Sequence, residues 1–248
     1  MEVALTTYPP LARMPAHQHD ALGVSVVLSG AVEESVGQQT RQAAVGAGVV
    51  KPAGTRHANR FGPDGARLLG IGLRGTPAAL WTQTGALARW TWFRETATLG
   101  AALRLAGTAG PGLAPPAELA EAMLLRMADV SAPACRTSGG APPRWLARVR
   151  DQLHADPARV CRISLLAQEV GVHPVYLARS FRRYYGRTVT DYLHQLRVLA
   201  AAERLAAGDG AVAAIAADAG FADHSHLCRI FRRTLGVSPT AFRLVARG

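Results

Sequence analysis

The sequence predicts an α+β protein of two domains, in which a β-barrel is followed by an all-helical half. In residues 1–75, short apolar runs such as VSVVLSG and LLGIGL are interrupted roughly every ten residues by Gly, Pro and polar clusters, which is typical of a β-sandwich or barrel. Residues 144–247 show helical periodicity almost throughout. Residues 131–143 (SAPACRTSGGAPP) have no apolar periodicity and are typical of a linker.

Residues 76–130 lose the strand pattern and are predicted to form helical support for the barrel. The segment ELAEAMLLRMADV carries an apolar stripe at helical spacing, formed by Leu119, Met123, Met127 and Val130. The default use of this stripe is packing against the β half, and a dimer seam is the alternative. The predicted domains are 1–130 for the barrel with its helical dimerisation region, 131–143 for the linker and 144–248 for the helical half.

Composition allows a packed core and narrows the class of protein. The chain has 248 residues, of which 49% are hydrophobic and 18% charged, so wholesale disorder is not expected. An apolar run of about 18 residues is missing, as is a basic N-terminal patch followed by an apolar stretch. We therefore predict no transmembrane helix and no secretory signal, and expect the cytoplasm. The three cysteines form no CxxC pair, which argues against a disulfide framework or a zinc knuckle.

The charge points to an anionic partner. The chain carries 28 Lys+Arg against 17 Asp+Glu, a net charge of +11, and Lys51 is its only lysine. Residues 144–248 hold 16 arginines and 8 acids, so most of the excess lies in the helical half. Such a balance favours nucleic acid or a membrane surface. A membrane-binding module is the weaker hypothesis because the chain lacks a Lys/Arg-rich amphipathic helix with exposed aromatics.

The helical half contains an internal repeat. ISLLAQEVGVHPVYLARSFRRYYG occupies 163–186 and AIAADAGFADHSHLCRIFRRTLG occupies 214–236, with the two Phe-Arg-Arg triplets fifty residues apart. Each copy has an alanine suited to a helix contact and, four residues later, a glycine that permits a tight turn (Ala167 and Gly171; Ala216 and Gly220). Pro174 suits a first helical position and Asp223 an N-cap. Each copy therefore predicts a helix-turn-helix.

The second helix of each copy has an apolar face and an arginine face. The predicted core anchors are Leu177, Phe181, Leu227, Ile230 and Phe231, and three arginines lie between them in each copy. A plain helical bundle with solvated arginines is the alternative, which the duplication disfavours. Thr190 to Ala206 is predicted to be one connecting helix about 25 Å long, which could hold two recognition helices about one DNA turn, or 34 Å, apart.

Residues 144–247 resemble the DNA-binding domain of the AraC/XylS family of transcriptional regulators. The stretch GFADHSHLCRIFRRTLGVSPTAFR is similar to the most characteristic part of that family, whereas Val189 departs from the proline that the second copy has at Pro239. The resemblance implies a sequence-specific DNA-binding transcriptional regulator that is not an enzyme. It also implies double-stranded DNA, RNA polymerase and a second copy of the chain, as a homodimer, as partners.

The resemblance also implies roles for individual residues. In the first recognition helix, Val175, Ala178 and Arg179 would face bases, and Arg182 and Arg183 would lie toward the backbone. In the second, the groove side would hold His224, Ser225, His226, Cys228 and Arg229, and the phosphate contacts would be Arg232 and Arg233. Side-chain chemistry supports the division, because arginine can bind guanine O6 and N7 whereas valine and alanine offer only apolar contact to a thymine methyl.

Three histidines stand out in the β half. His17 and His19 would point to one face of a strand, since alternate residues share a face. In GAGVVKPAGTRHANRF (46–61), the Pro and Gly spacing places His57 after a turn, at the start of another strand. Three imidazoles converging inside a small barrel could form a divalent transition-metal site.

These two stretches resemble the motifs of the cupin barrel, which implies a cupin-like sensor. The carboxylate of the first cupin motif is missing: Val24 and Ser25 occupy its region, and Asp20, Glu33 and Glu34 are misplaced for the role. Three alternatives stay open, namely a metal site, a pocket for a non-metal effector, and no small ligand. No cofactor beyond a divalent transition metal is expected. Three tryptophans are predicted to pack in the core (Trp81, Trp90 and Trp92).

Two functions from different classes compete. The first is a DNA-binding transcriptional regulator controlled by a small-molecule or metal effector in the N-terminal barrel. The alternative is a cupin-type metalloenzyme with an appended helical domain. The missing carboxylate and the arginine-lined repeat count against the enzyme, and robust turnover without DNA affinity would reverse the ranking.

Overall fold

The computed structural model describes residues 1–75, 78, 79, 81, 85, 87–108, 116–131, 141–160 and 162–248. It is a mixed α/β protein with one seven-stranded antiparallel sheet. The strands are β1 Glu2–Tyr8, β2 Arg13–His17, β3 Leu22–Val36, β4 Gln39–Ala43, β5 Ala47–Lys51, β6 His57–Leu73 and β7 Thr91–Arg94. The helices in the described residues are α1 Thr96–Thr108, α2 Ala117–Ser131, α3 Arg144–Ala155, α4 Ile163–Glu169, α5 Pro174–Tyr185, α6 Val189–Ala207, α7 Val212–Asp218, α8 His224–Leu235 and α9 Pro239–Arg247.

Two long strands organise the sheet. β3 and β6 pair along most of their length; β1 and β2 pair with the two halves of β6, and β4 and β5 pair with the two halves of β3. Near a shift of register between β3 and β6, Gly30 and Gly65 lie against each other at φ +69° and +72°. A Cβ on Gly30 would overlap the Gly65 carbonyl oxygen, so this close approach requires glycine.

The β half is built of strands as predicted, its sheet is antiparallel, and one further strand lies outside it. The main path of pairing among the described residues runs β1-β6-β3-β5-β7 without closing, so a cupin-like barrel stays a prediction. β7 lies within residues 76–130, which we predicted to be helical, and that prediction was wrong at this point. The four residues of β7 are too few to show a strand period, and they form a strand because they pair with the edge of β5.

The apolar stripe of α2 packs inside the molecule, which is the default use predicted for it. Met123 and Met127 are fully buried, and α2 contacts α1 and β7. Leu119 is partly buried against the same core, whereas the Val130 side chain lies outside the described part. Every helix among the described residues is too short or too polar to cross a membrane.

In residues 144–160 and 162–248 the helical half contains seven helices, divided between two cores. α3, α4, α5 and the first half of α6 pack around Phe181 and Leu177. The second half of α6, together with α7, α8 and α9, packs around Phe231 and Phe242. α6 confirms the single connecting helix predicted over Thr190 to Ala206. Residues 132–140, most of the predicted linker, lie outside the described residues.

The second of these cores continues into the β half. Buried side chains of the sheet and of α1, such as Leu69 and Leu99, belong to the same apolar cluster as Phe231 and Leu235 of α8. The backbones approach closely at Gly100 of α1, where a Cβ would lie 2.9 Å from the backbone oxygen of Leu235. The second helix-turn-helix unit and the sheet are therefore packed as one body, which the sequence did not predict.

Candidate nucleic-acid interface

Both predicted helix-turn-helix units form, and their turns explain the glycines. Ala167 and Ala216 are fully buried at the helix contacts. Gly171 and Gly220 adopt φ of +70° and +81°, a left-handed conformation that favours glycine. At Gly220 a Cβ would also lie 2.6 Å from Cα of Ala158, so close packing adds to the requirement.

The recognition helices begin where the sequence indicated. Pro174 stands at the first position of α5, and Asp223 caps α8, with its carboxylate accepting a hydrogen bond from the backbone N–H of His226 at 2.7 Å. The cap of α5 is His173, whose Nδ1 accepts from the backbone N–H of Val175 at 3.3 Å. Sequence reasoning missed this histidine because histidine is not a common N-cap residue.

Replacing Asp223 with alanine tests the capping of α8. The free energy of unfolding should fall by about 1 kcal/mol, because one backbone N–H at the helix start loses its partner. Urea unfolding monitored by circular dichroism measures the change. Asp223→Asn is the control, since asparagine also caps helices well and should retain most of the stability. Equal losses in the two variants would contradict a capping role.

The exposed faces of the two recognition helices carry the residues predicted for DNA. The apolar anchors are buried as predicted. Ten of the predicted contact residues are exposed: Val175, Ala178, Arg179, Arg182, Arg183, His224, Ser225, Arg229, Arg232 and Arg233. In the part of the chain that the structure describes, none of the six arginines forms an ion pair. Two strongly cationic surfaces result, and we call them the α5 face and the α8 face.

Two predicted groove residues are half-buried and have neighbours within the protein. Nδ1 of His226 accepts from the backbone N–H of Ala222 at 3.4 Å, and its ring lies edge-on to Phe221. His226 therefore supports the start of α8, and a base contact from it stays a prediction. Cys228 is a free thiol whose Sγ lies 3.5 Å from Nε2 of His224.

A buried arginine ties the connecting helix to the first unit. Arg197 of α6 is only 9% exposed and donates hydrogen bonds to the backbone oxygens of Pro157 at 2.9 Å and Val160 at 2.7 Å. These bonds hold α6 against the loop between α3 and α4. The sequence indicated only weakly that Arg197 is buried, because a single arginine on a largely apolar helix usually faces solvent.

The three histidines of the β half come together. His17 ends β2 and pairs with His57, which begins β6 as predicted. His19 lies in the loop after β2, so the expectation that it continues the strand was wrong, and the loop instead brings it to the other two. Ring centroids are 4.4 to 5.3 Å apart, and one nitrogen of each ring lies within 4.8 Å of the others.

Backbone contacts orient two of these imidazoles. Nδ1 of His17 lies 2.8 Å from the oxygen of Pro15, and Nδ1 of His57 lies 2.9 Å from the oxygen of Thr55. A carbonyl oxygen only accepts, so in each ring Nδ1 carries a hydrogen, and in the neutral form of the ring Nε2 keeps a lone pair. Both Nε2 atoms are buried without a hydrogen-bond partner among the described residues. Burial lowers the pKa of His57, and burial together with neighbouring cations lowers the pKa of His19.

Glu34 lies inside the sheet near these histidines but has other partners. It is 1% exposed, forms an ion pair with Lys51 at 3.1 Å and accepts a hydrogen bond from Nε1 of Trp90 at 2.6 Å. Trp90 therefore positions a buried carboxylate, beyond the packing role predicted for it. A cavity of about 240 Å³ lies beside Lys51, His19 and His57. The donor set fits a nitrogen-preferring divalent metal, because the three available ligands are imidazoles.

The family match lies in the helical half. Residues 166–244 match the family described as "Helix-turn-helix domain". Regulatory protein SoxS of Escherichia coli (strain K12) is 33% identical over 81 residues, which are 33% of this chain and 76% of SoxS. A putative AraC-like transcription regulator of Streptomyces lividans is 34% identical over 107 residues, 40% of this chain and 35% of the relative.

A solved structure gives a similar extent of match. One such structure is the DNA-binding domain of AdpA, a global transcriptional factor, in complex with a target DNA. Its sequence is 30% identical to this chain, and the match covers 41% of this chain and 92% of the AdpA chain, with a TM-score of 0.40. The chain spans only 27% and 35% of the lengths of the first curated relatives that it matches. The residues of the family match, 166–244, span the two helix-turn-helix units.

Proposed function

Because the chain belongs to the AraC/XylS family of transcriptional regulators, we propose that it binds double-stranded DNA in a sequence-specific way and regulates transcription. The observation that carries the proposal is the pair of exposed cationic faces, each on the second helix of a helix-turn-helix unit. In such units the second helix enters the major groove. The arginines bind phosphates and release counterions, which supplies affinity, and groove contacts supply sequence preference.

α6 sets the geometry of the two faces. Its 19 residues span about 28 Å, and the bodies of the two units extend that separation toward the 34 Å of one DNA turn. The bonds from Arg197 fix α6 to the first unit. The α5 and α8 faces would then occupy successive major-groove segments on one side of the duplex.

Within the two faces, roles follow from side-chain chemistry. Arg179 and Arg229 read guanines, whereas Val175 and Ala178 contact thymine methyl groups. The Arg182-Arg183 and Arg232-Arg233 pairs bind the phosphate backbone. The polar groove side of α8 is completed by His224, Ser225 and Cys228, with His226 holding the helix start.

Arg229→Ala tests base reading by the α8 face. Preferred sites are first selected from a random-sequence duplex library with the unmodified full chain. On such a site the variant should lose about 1–3 kcal/mol of binding free energy and relax its preference at one base pair. Arg126→Ala, an exposed arginine on α2, is the control and should leave both quantities unchanged. An unaltered sequence preference in Arg229→Ala would refute the role.

The N-terminal half, over residues 1–130, acts as the sensor in this proposal. An effector in the sheet domain alters the placement of the two helix-turn-helix units or the geometry of a homodimer, and so changes DNA affinity. The apolar core shared with α8 supports such a coupling. We propose that RNA polymerase and a second copy of the chain are further partners, and that the protein acts in the cytoplasm.

The metalloenzyme hypothesis has weaker support than the regulator. Glu34, the buried acid nearest the histidines, is engaged with Lys51 and Trp90, which leaves it poorly placed to serve as a catalytic base or fourth ligand. We therefore propose no catalytic activity. We expect the metal-loaded chain to bind DNA and to leave small carbonyl and phenolic compounds unchanged.

A further inference from the structure

The histidine cluster has the features of a ligand site whose ligand is a cation. Both Nε2 lone pairs of His17 and His57 are buried without partners, and burying an unpaired acceptor costs about 1–3 kcal/mol. The carbonyls of Pro15 and Thr55 fix both rings in the tautomer that a metal needs. Two buried acceptors without partners therefore lower the stability of the fold at one place, and a third imidazole lies beside them. A bound cation, which accepts lone pairs, would offset this cost.

We propose that His17, His19 and His57 bind one divalent transition-metal ion, and that this ion is the effector of the DNA-binding activity. Nε2 of His17 and His57 are the ligand atoms on the sheet, and His19 completes the set from the loop. The part of the proposal that names an effector rests on the proposed function. The part that names a metal site does not.

The distances allow the set to close on an ion. A tetrahedral ion with bonds of about 2.0–2.1 Å holds its nitrogen ligands about 3.3 Å apart. One ligand nitrogen from each ring lies within 4.8 Å of the others, so these nitrogens must approach by roughly 1.5 Å at most. His19 is exposed and stands in a loop, so rotation of its side chain supplies the movement. Metal binding should therefore order this loop.

The donor set selects the kind of ion. Imidazole suits Zn²⁺, Cu²⁺, Ni²⁺ and Fe²⁺, whereas Mg²⁺ and Ca²⁺ prefer oxygen ligands. Lys51 lies nearby, but its ion pair with Glu34 compensates its charge, so it does not forbid a cation. Three protein ligands leave a coordination position open toward the cavity of about 240 Å³, as in exchangeable metal sites.

Two strands connect the cluster to the helical half. β6 begins at His57, and farther along it the guanidinium of Arg67 lies against Gly248, just past α9. β5 ends at Lys51 and is preceded by Gly46, whose Cα packs on the side chain of Leu199 of α6. Metal binding at the histidine cluster would therefore affect β5 and β6, and residues of or next to these strands contact α6 and the end of α9.

The metal site is tested with the full chain, freed of any affinity tag and treated with a chelator. Calorimetric titration with Zn²⁺ should give one ion per chain, and Co²⁺ should give the visible absorption of a tetrahedral complex. His19→Ala removes an exposed ligand without disturbing the core and should weaken Zn²⁺ binding at least tenfold. His17→Ala should also reduce it, with circular dichroism checking the fold. His173→Asn, which keeps a capping side chain on α5, is the control and should bind Zn²⁺ normally.

The outcomes separate the two parts of the proposal. The metal site is overturned if the unmodified chain shows no stoichiometric binding, or if His19→Ala and His17→Ala bind Zn²⁺ as tightly as the unmodified chain. With the site established, Zn²⁺ should change affinity for a selected duplex about fivefold or more in the unmodified chain and not in His19→Ala. DNA binding that ignores Zn²⁺ overturns the effector role alone. Zn²⁺ binding by a chain that ignores every duplex overturns the proposed function and leaves the metal site standing.

Discussion

Replacing Gly100 with valine is expected to lower the free energy of unfolding by about 3 kcal/mol. Gly100 lies where α1 crosses the end of α8, and even a single Cβ would approach the backbone oxygen of Leu235 to 2.9 Å. Backbone cannot rotate away as a side chain can, so the two elements must separate. Separation opens the apolar core that joins α1, the sheet and the second helix-turn-helix unit.

Urea unfolding of the full chain measures this effect, and α1 supplies its own control. Gly107 lies in the same helix, is exposed, and has no atom within 4 Å of an added Cβ. Gly107→Ala should leave stability unchanged or raise it by about 0.5–1 kcal/mol, because alanine favours helix. If Gly100→Val were as stable as Gly107→Ala, the close packing of α1 on α8 would be refuted.

This packing has a consequence for regulation. The C-terminal end of α8 rests on α1, whereas Arg229, Arg232 and Arg233 remain exposed. The β half therefore holds the second unit without covering its cationic face. The first unit has a separate core and is joined to the rest of the protein through α6 and through the ion pair of Arg187 with Glu95. A conformational change in the β half would thus alter the spacing between the α5 face and the α8 face more readily than it would block the access of DNA to either face.

The junction is reinforced by ion pairs of modest strength. Arg94 at the end of β7 pairs with Glu203 of α6 at 2.5 Å, and Glu95 pairs with Arg187 at 3.5 Å. The four side chains are between 21% and 41% exposed, so each pair contributes only up to about 1 kcal/mol. Apolar burial, together with the fit at Gly100, dominates the stability of the junction.

The double helix-turn-helix was predictable because its signals are local and occur twice. Gly171, Gly220, Pro174 and Asp223 each specify a turn or a helix start within a few residues, and all four adopt the predicted roles. The convergence of the three histidines was also predicted, from the alternation of His17 and His19 and from the turn before His57. The pairing of β2 with β6 brings His17 and His57 together.

What the sequence could not reveal depends on contacts between distant residues. α1 (TATLGAALRLAGT) is buried on most sides, so it has no clear amphipathic stripe, and nothing local indicates that it packs on α8. The Trp90–Glu34 hydrogen bond joins residues 56 positions apart. The sequence indicated only that Glu34 is misplaced to be a metal ligand. Its ion pair with Lys51 could not be predicted, because it depends on how the strands pair in the sheet.

Replacing four arginines together, the two adjacent pairs of the α5 and α8 faces, should have the largest effect on DNA binding. Each phosphate contact contributes about −0.9 to the slope of log K against log salt concentration. The slope should therefore become shallower by about 3–4, and affinity should fall for all duplexes alike. The variant changes Arg182, Arg183, Arg232 and Arg233 to alanine, and fluorescence anisotropy across a salt series measures it.

A charge-matched variant separates a local face from net charge. It changes to alanine four exposed arginines of the N-terminal half, namely Arg13, Arg41, Arg56 and Arg126. Both variants lower the net charge by the same amount, so a long-range attraction between protein and DNA would weaken equally in both. Counterion release instead requires guanidinium groups in contact with phosphates, so only the first variant should lose slope. Equal slopes in the two variants would mean that the α5 and α8 faces are not where DNA binds, because the arginines there would act only through their total charge.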